Sequence, residues 1–186
     1  LLGSVADGLM EQGIVKSVTD NSEYTKVIIL DQNGNCLFNA SGQNKCLQSS
    51  YTLMIYIASD HAGFANKTQI LEYFKNSKFE IKDLGPYVYE YSDDYVDYAK
   101  KVCERIQKDP AESKGILICA SGEGMSISAN KFKGIYAALC RSSKDAVLSR
   151  QHNDTNVLVL ASTENPEILY KTIVVPWLES EFSKAS

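Results

Sequence analysis

The chain has 186 residues, 44% of them hydrophobic and 23% charged, enough for one full domain with its core and a small appendage. A formal net charge of −4 and a pI near 5.2 argue against a polyanionic partner. No cluster of Lys or Arg could offset a nucleic-acid backbone, so no nucleic acid is expected. Any phosphate the chain binds should be small and held locally, by backbone N–H groups and a few side chains.

No stretch approaches the roughly 20 apolar residues of a membrane span, so no membrane is expected. Leu1–Met10 carries Asp7 and no basic region, unlike a secretory leader. The five cysteines, Cys36, Cys46, Cys103, Cys119 and Cys140, are odd in number and match no zinc or CxxC spacing. They point to a reducing, cytoplasmic compartment and to no metal site.

Residues 1–53 read as an N-terminal extension. Leu2–Gln12 is a short helix candidate, and Lys26–Leu30 and Cys36–Asn39 are strand candidates. The Asn33-Gly34 pair between these strands is a hairpin turn signal, because both residue types tolerate positive φ. The polar stretch Ser41–Ser50 reads as a linker. No catalytic motif falls in this segment, and a chain opening on Leu1 rather than Met is expected of a fragment or a processed product.

From there the texture changes, and residues 54–186 read as one domain. Strand candidates are Leu53–Ala58, Phe79–Leu84, Gly115–Ala120, Tyr136–Cys140 and Val157–Ala161. Helical patterns lie between and after them, at Phe64–Asn76, Asp94–Gln107, Met125–Lys131, Lys144–Gln151 and Pro166–Phe182. Near-continuous apolar strands alternating with helices predict an α/β fold: a five-stranded parallel sheet in a three-layer, Rossmann-like arrangement with helices on both faces. In such sheets the ligand sits at the carboxyl ends of the strands, which directs attention to the segments that follow them.

After the first of these strands comes Ser59-Asp60-His61-Ala62-Gly63-Phe64. His61 could polarise a hydroxyl or meet a phosphate, and Asp60 could hold a sugar hydroxyl or orient the imidazole. Equally, Asp60 could cap the next helix and His61 could be a solvated turn residue. After the third strand comes Cys119-Ala120-Ser121-Gly122-Glu123-Gly124-Met125. Small residues at a strand-to-helix junction let backbone N–H groups approach a phosphate or a developing oxyanion. Cys119 at the lip of this nest, near helix-terminal dipoles, is expected to have a lowered pKa and could act as a base; it could also be a small buried hydrophobe, as Cys103 and Cys140 are expected to be. The loop is neither GxGxxG nor a Walker motif, so no nucleotide is indicated. Before the fifth strand comes Ser149-Arg150-Gln151-His152-Asn153-Asp154-Thr155-Asn156. His152 is either an acid–base group or a helix C-terminal histidine favoured by the dipole. His61 and His152 are the only two histidines, and both lie in polar junctions, which points to a shared site.

Together SDHAGF, CASGEGMSISANKFKGIYAALC and LSRQHNDTNVL resemble the type B ribose-5-phosphate isomerases in order and spacing, as do YVDYAKKV and the late Trp177-Leu178-Glu179. The resemblance covers Met54 to about Phe182. It implies interconversion of ribose 5-phosphate and ribulose 5-phosphate, a small-molecule sugar phosphate, with no metal or organic cofactor. By the same resemblance, Cys119 moves the proton between C2 and C1 through a cis-enediolate and Ser121 assists proton transfer between the oxygens. Backbone N–H groups of Ala120, Gly122, Glu123 and Gly124 stabilise the enediolate. His152 assists ring opening with Asn153 nearby, and Asp60 and His61 bind the substrate. Members of the family are dimers or tetramers with sites between subunits, so a homodimer or homotetramer is implied. The galactose-6-phosphate isomerase subunits share the fold and part of these motifs and imply a hexose phosphate as the alternative; a non-catalytic sugar-phosphate-binding protein on the same fold is another. Two departures stand out. Ala120 and Ser121 replace the usual Gly and Thr, and Thr163 stands where many members carry an Arg, leaving Arg141 as the cation that could compensate at the phosphate.

Overall fold

The computed structural model describes residues 53–183 and, before them, the backbone of one strand pair. The chain divides into two units, Leu1–Tyr51 and Thr52–Ser186. In the first, β1 (Ile29–Leu30) pairs antiparallel with β2 (Cys36–Phe38), Ile29 opposite Phe38 and Leu30 opposite Cys36. This pairing is the hairpin expected from Asn33-Gly34. The turn itself, the Leu2–Gln12 helix candidate and the Ser41–Ser50 linker lie outside the described residues.

The second unit is built on β3 (Met54–Ser59), β4 (Glu80–Asp83), β5 (Ser113–Cys119), β6 (Ala137–Leu139) and β7 (Val157–Ala161). They form one five-stranded sheet in the order β4-β3-β5-β7-β6, and every pair is parallel. The helices are α1 (Phe64–Phe74), α2 (Tyr95–Lys108), α3 (Glu123–Ala129) and α4 (Ser143–Asn153), followed by a C-terminal helix beginning with α5 (Pro166–Leu169). All five strands expected from the sequence are present, with ends shifted by up to two residues where partner pairing rather than composition decides them.

Alternation along the central strands sorts side chains to two faces. Ile55 and Ile57, Ile116 and Ile118, and Leu158 and Leu160 pack against Ile70 and Phe74 of α1, Ala146 of α4 and Trp177 of the C-terminal helix. Ala58, Leu117, Cys119, Val157 and Val159 pack on the other face against Val102, Cys103 and Ile106 of α2 and Met125 of α3. With both faces covered, the middle strands carry no polar side to solvent, which is why β7 reads as five consecutive buried residues.

The last helix departs from the continuous Pro166–Phe182 run. It is α-helical over Pro166–Leu169, widens to a π-helix over Tyr170–Val174, and returns to α-helix as α6 over Val175–Glu179. Pro176 is the cause the sequence offers: its ring removes an N–H from the ladder and crowds the preceding turn, and the wider turn before it relieves the clash. Among the described residues no helix is long and apolar enough to cross a membrane.

Candidate active site at the sheet switch point

From β3 the chain runs outward to β4 at one edge, then crosses back over β3 to β5. The carboxyl ends of β3 and β5 therefore flank the point where strand order reverses, the place where open α/β sheets bind ligands. Ser59 of β3 pairs with Ile118 of β5, and the Asp60 N–H donates to the Ile118 carbonyl at 3.3 Å. That pairing brings the Asp60-His61 turn beside Cys119.

Cys119 is 5% exposed. Gly122 turns the chain back over it with φ of +82°, a conformation that suits glycine, and its N–H donates to Cys119 Sγ at 3.2 Å. Burial pushes the thiol up from 9.0. The carboxylate of Asp60 pushes it the same way, while backbone N–H groups of Met125, Gly122 and Ser121 pull it down. The lowered pKa expected from helix-terminal dipoles is thus reversed, because desolvation of the buried sulfur outweighs the donors aimed at it. Cys103 and Cys140 are buried, free thiols in the two cores, as expected of small hydrophobes.

Asp60 is 6% exposed. Its Oδ1 accepts the Gly63 N–H at 2.9 Å, so it shapes the turn into α1, whose N-cap is Gly63. Burial raises its carboxyl above 3.8. The Gly63 N–H and the His61 charge act against this, and the charge of Asp93 adds to it. His61 is not a free turn residue. Its Nδ1 lies 2.7 Å from Asp93 Oδ1, and the same oxygen accepts the His61 backbone N–H at 3.0 Å. The rings of Tyr91 and Tyr89 stand 5.3 and 6.5 Å from the imidazole.

On the other side of Cys119, the Ser121 hydroxyl accepts the Glu123 N–H at 3.3 Å. Arg141, just past β6, donates to the Ser121 carbonyl and to Glu123 Oε1, both at 3.3 Å. Arg141 and Thr163 line one small cavity of about 50 Å³ with Cys140 and Glu164, so this cation borders the same space as Thr163. A larger groove of about 310 Å³ runs along α2 past Tyr87, Lys101 and Arg105, away from this chemistry. Among the described residues no group of three or more His, Cys, Asp or Glu is placed to hold a metal ion.

Asp60, His61, Arg141 and the loop Cys119-Ala120-Ser121-Gly122-Glu123-Gly124 thus share the carboxyl edge. His152 and Asn153 do not join them. They end α4, which starts at the carboxyl edge after β6 and runs back to the amino edge, where β7 begins. The length of β7, roughly 15 Å, separates His152 from Cys119 within one chain. The shared site expected for the two histidines is not formed by a single copy, because their junctions sit at opposite ends of the sheet. Asp93 was missed by the sequence reading. It follows no strand and lies in the acidic Ser92-Asp93-Asp94 run that reads as a helix start; Asp94 does cap α2, accepting the Val96 N–H at 3.0 Å.

The chain belongs to the Ribose/Galactose Isomerase family, whose sequence model matches residues 55–186. It is similar to the probable ribose-5-phosphate isomerase B of Mycoplasma genitalium, 46% identical over 108 residues, or 58% of this chain and 71% of that protein. It is also similar to the ribose-5-phosphate isomerase B of Escherichia coli, 41% identical over 128 residues, or 69% of this chain and 85% of that protein. The crystal structure of the Mycoplasma genitalium ribose-5-phosphate isomerase B with bound ribulose-5-phosphate superposes with a TM-score of 0.68 and 41% identity, covering 71% of this chain and 87% of that one.

Proposed function

We propose that this chain is an aldose–ketose isomerase that interconverts ribose 5-phosphate and ribulose 5-phosphate through a cis-enediolate. The observation that carries the reading is Cys119: a buried sulfur at the carboxyl end of β5, at the switch point, with the Gly122 N–H directed at it from 3.2 Å. Its thiolate takes the proton from C2 of the open-chain aldose and returns it to C1. The Ser121 hydroxyl passes the proton between the two oxygens, and backbone N–H groups of the Ala120–Gly124 loop meet the enediolate charge. Asp60 and His61 bind the sugar phosphate, and Arg141 supplies a cation beside Thr163.

His152 and Asn153 belong to the same reading only if a second copy supplies them. Their place at the amino edge supports a homo-oligomer in which His152 of one protomer opens the sugar ring beside Cys119 of another. The domain itself spans residues 54–186, with 1–53 as an extension. The buried free thiols favour a reducing, cytoplasmic compartment.

The test is Cys119→Ala. Isomerisation of ribose 5-phosphate should fall by at least about 10²–10⁴-fold, the usual worth of a general base, while substrate still binds. Near-full turnover would move the base elsewhere, with Glu123 the first candidate. Running allose 6-phosphate alongside decides between pentose and hexose preference.

A further inference from the structure

We propose that Asp93 is a positioning residue that holds His61 as its Nδ1–H tautomer and aims Nε2 at the sugar phosphate. The proposal rests on the isomerase reading above and assigns a role to a residue outside the strand-end motifs. Asp93 Oδ1 accepts the His61 backbone N–H at 3.0 Å, so this oxygen already acts as an acceptor towards His61. The imidazole Nδ1, 2.7 Å from the same oxygen, must then carry the proton between them. With Nδ1 tied and Tyr91 and Tyr89 walling the ring, Nε2 is the ring nitrogen left for a ligand. The His61 side chain is 31% exposed, enough to meet a substrate at the carboxyl edge.

The Asp93 side chain is 5% exposed and its ion partner among the described residues is His61. The Tyr98 hydroxyl is the other group the carboxylate acts on, by charge and as a hydrogen-bond acceptor, while Oδ2 is buried and makes no hydrogen bond of ordinary geometry among the described residues. A carboxylate this far buried costs desolvation, which works against folding unless its partners offset it. The two short contacts from His61, at 3.0 and 2.7 Å to one oxygen, are what offset that cost and tie the carboxylate to the imidazole. Which nitrogen of a histidine faces the reaction is set by the bond the other nitrogen makes, and the wrong tautomer costs up to about 10⁴-fold in a serine-protease triad.

The experiment combines kinetics, thermal unfolding and side-chain nitrogen NMR on the full chain. In the wild type, long-range ¹⁵N–¹H correlation should show His61 protonated at Nδ1, and Asp93→Asn should move the proton wholly or partly to Nε2. The same substitution should lower kcat/KM for ribose 5-phosphate at least 10-fold with Tm unchanged or raised. In a His61→Asn background it should change kcat/KM less than 2-fold. A wild-type proton on Nε2, an equal loss in both backgrounds, or a loss that tracks a falling Tm would each overturn the proposal. If the wild type does not isomerise ribose 5-phosphate, the functional reading fails separately, and the tautomer measurement still decides whether Asp93 sets His61.

Discussion

Gly63 is the point at which packing and chemistry meet most tightly. A Cβ at this position would lie 2.5 Å from the Ile118 carbonyl oxygen and 2.8 Å from its carbon, where ordinary contact begins near 3.4 Å. The start of α1 would therefore have to retreat from β5 by about 0.9 Å, the shortfall between those distances. The oxygen cannot yield instead, because it belongs to a central strand held in the ladder between β3 and β7. Overpacking costs about 1–3 kcal/mol, and a backbone neighbour puts Gly63→Ala in the upper half of that range. The same retreat stretches the 2.9 Å bond from the Gly63 N–H to Asp60 and carries Asp60 and His61 away from Cys119. A misplacement near 1 Å can cost about 10²-fold in rate. The assay pairs urea unfolding with steady-state isomerisation, and uses Gly115→Ala as reference. A Cβ there meets Val102 Cγ1 at 2.6 Å, which is also destabilising, but four residues of strand, roughly 13 Å, separate it from Cys119. Gly63→Ala should lose both stability and turnover, and Gly115→Ala mainly stability. Wild-type turnover in Gly63→Ala, or equal loss of turnover in both, would refute the argument.

Asp60→Asn keeps the acceptor for the Gly63 N–H but removes a buried charge whose pKa is raised by desolvation. It should lower kcat/KM yet raise the unfolding midpoint at neutral pH. That stability gain should fade as pH falls through the folded and then the unfolded carboxyl pKa, where the wild-type group is also neutral. The pH–rate curve, which should climb as Cys119 ionises, should shift to lower pH in this variant, since Asp60 is one of the groups holding the thiol up. Burial pushes Cys140 up to about 11, and Cys103 and Tyr98 to about 12. Their folded pKa values lie above the unfolded ones, so stability should be level below about pH 9 and be lost as pH rises towards 12, by about 1.4 kcal/mol per unit of raised pKa; an alkaline series of denaturant midpoints reads this, and a flat series to pH 12 would contradict it. Mixing Cys119→Ala with His152→Asn through unfolding and refolding should restore about a quarter of wild-type activity if sites pair these residues across a dimer. Half the dimers are then mixed and each has one intact site of two. No recovery would place both residues in one protomer's site.

The amino-acid sequence by itself determined the elements and where to look among them. Runs such as Val157–Ala161 are apolar on both faces, which only a doubly covered strand tolerates, so the central parallel strands were legible without coordinates, and the alternation with helices pointed to the edge strands beside them. Polar, glycine-bearing segments after β3 and β5 were legible for the same reason: small and polar residues interrupt the apolar pattern where backbone must meet a ligand. What needed the tertiary structure is everything that depends on which strands become neighbours. Local pattern says nothing about the order β4-β3-β5-β7-β6, and that order sets Asp60 beside Cys119. Nor does it show that α4 spans the sheet and carries His152 to the far edge. Asp93 reaches His61 across 32 residues, a distance at which short-range periodicity carries no information. The thiol pKa of Cys119 is the plainest instance. Its neighbours in sequence argue for a lowered value, but the value is set by desolvation, which exists only once two helices and a sheet have closed around the sulfur.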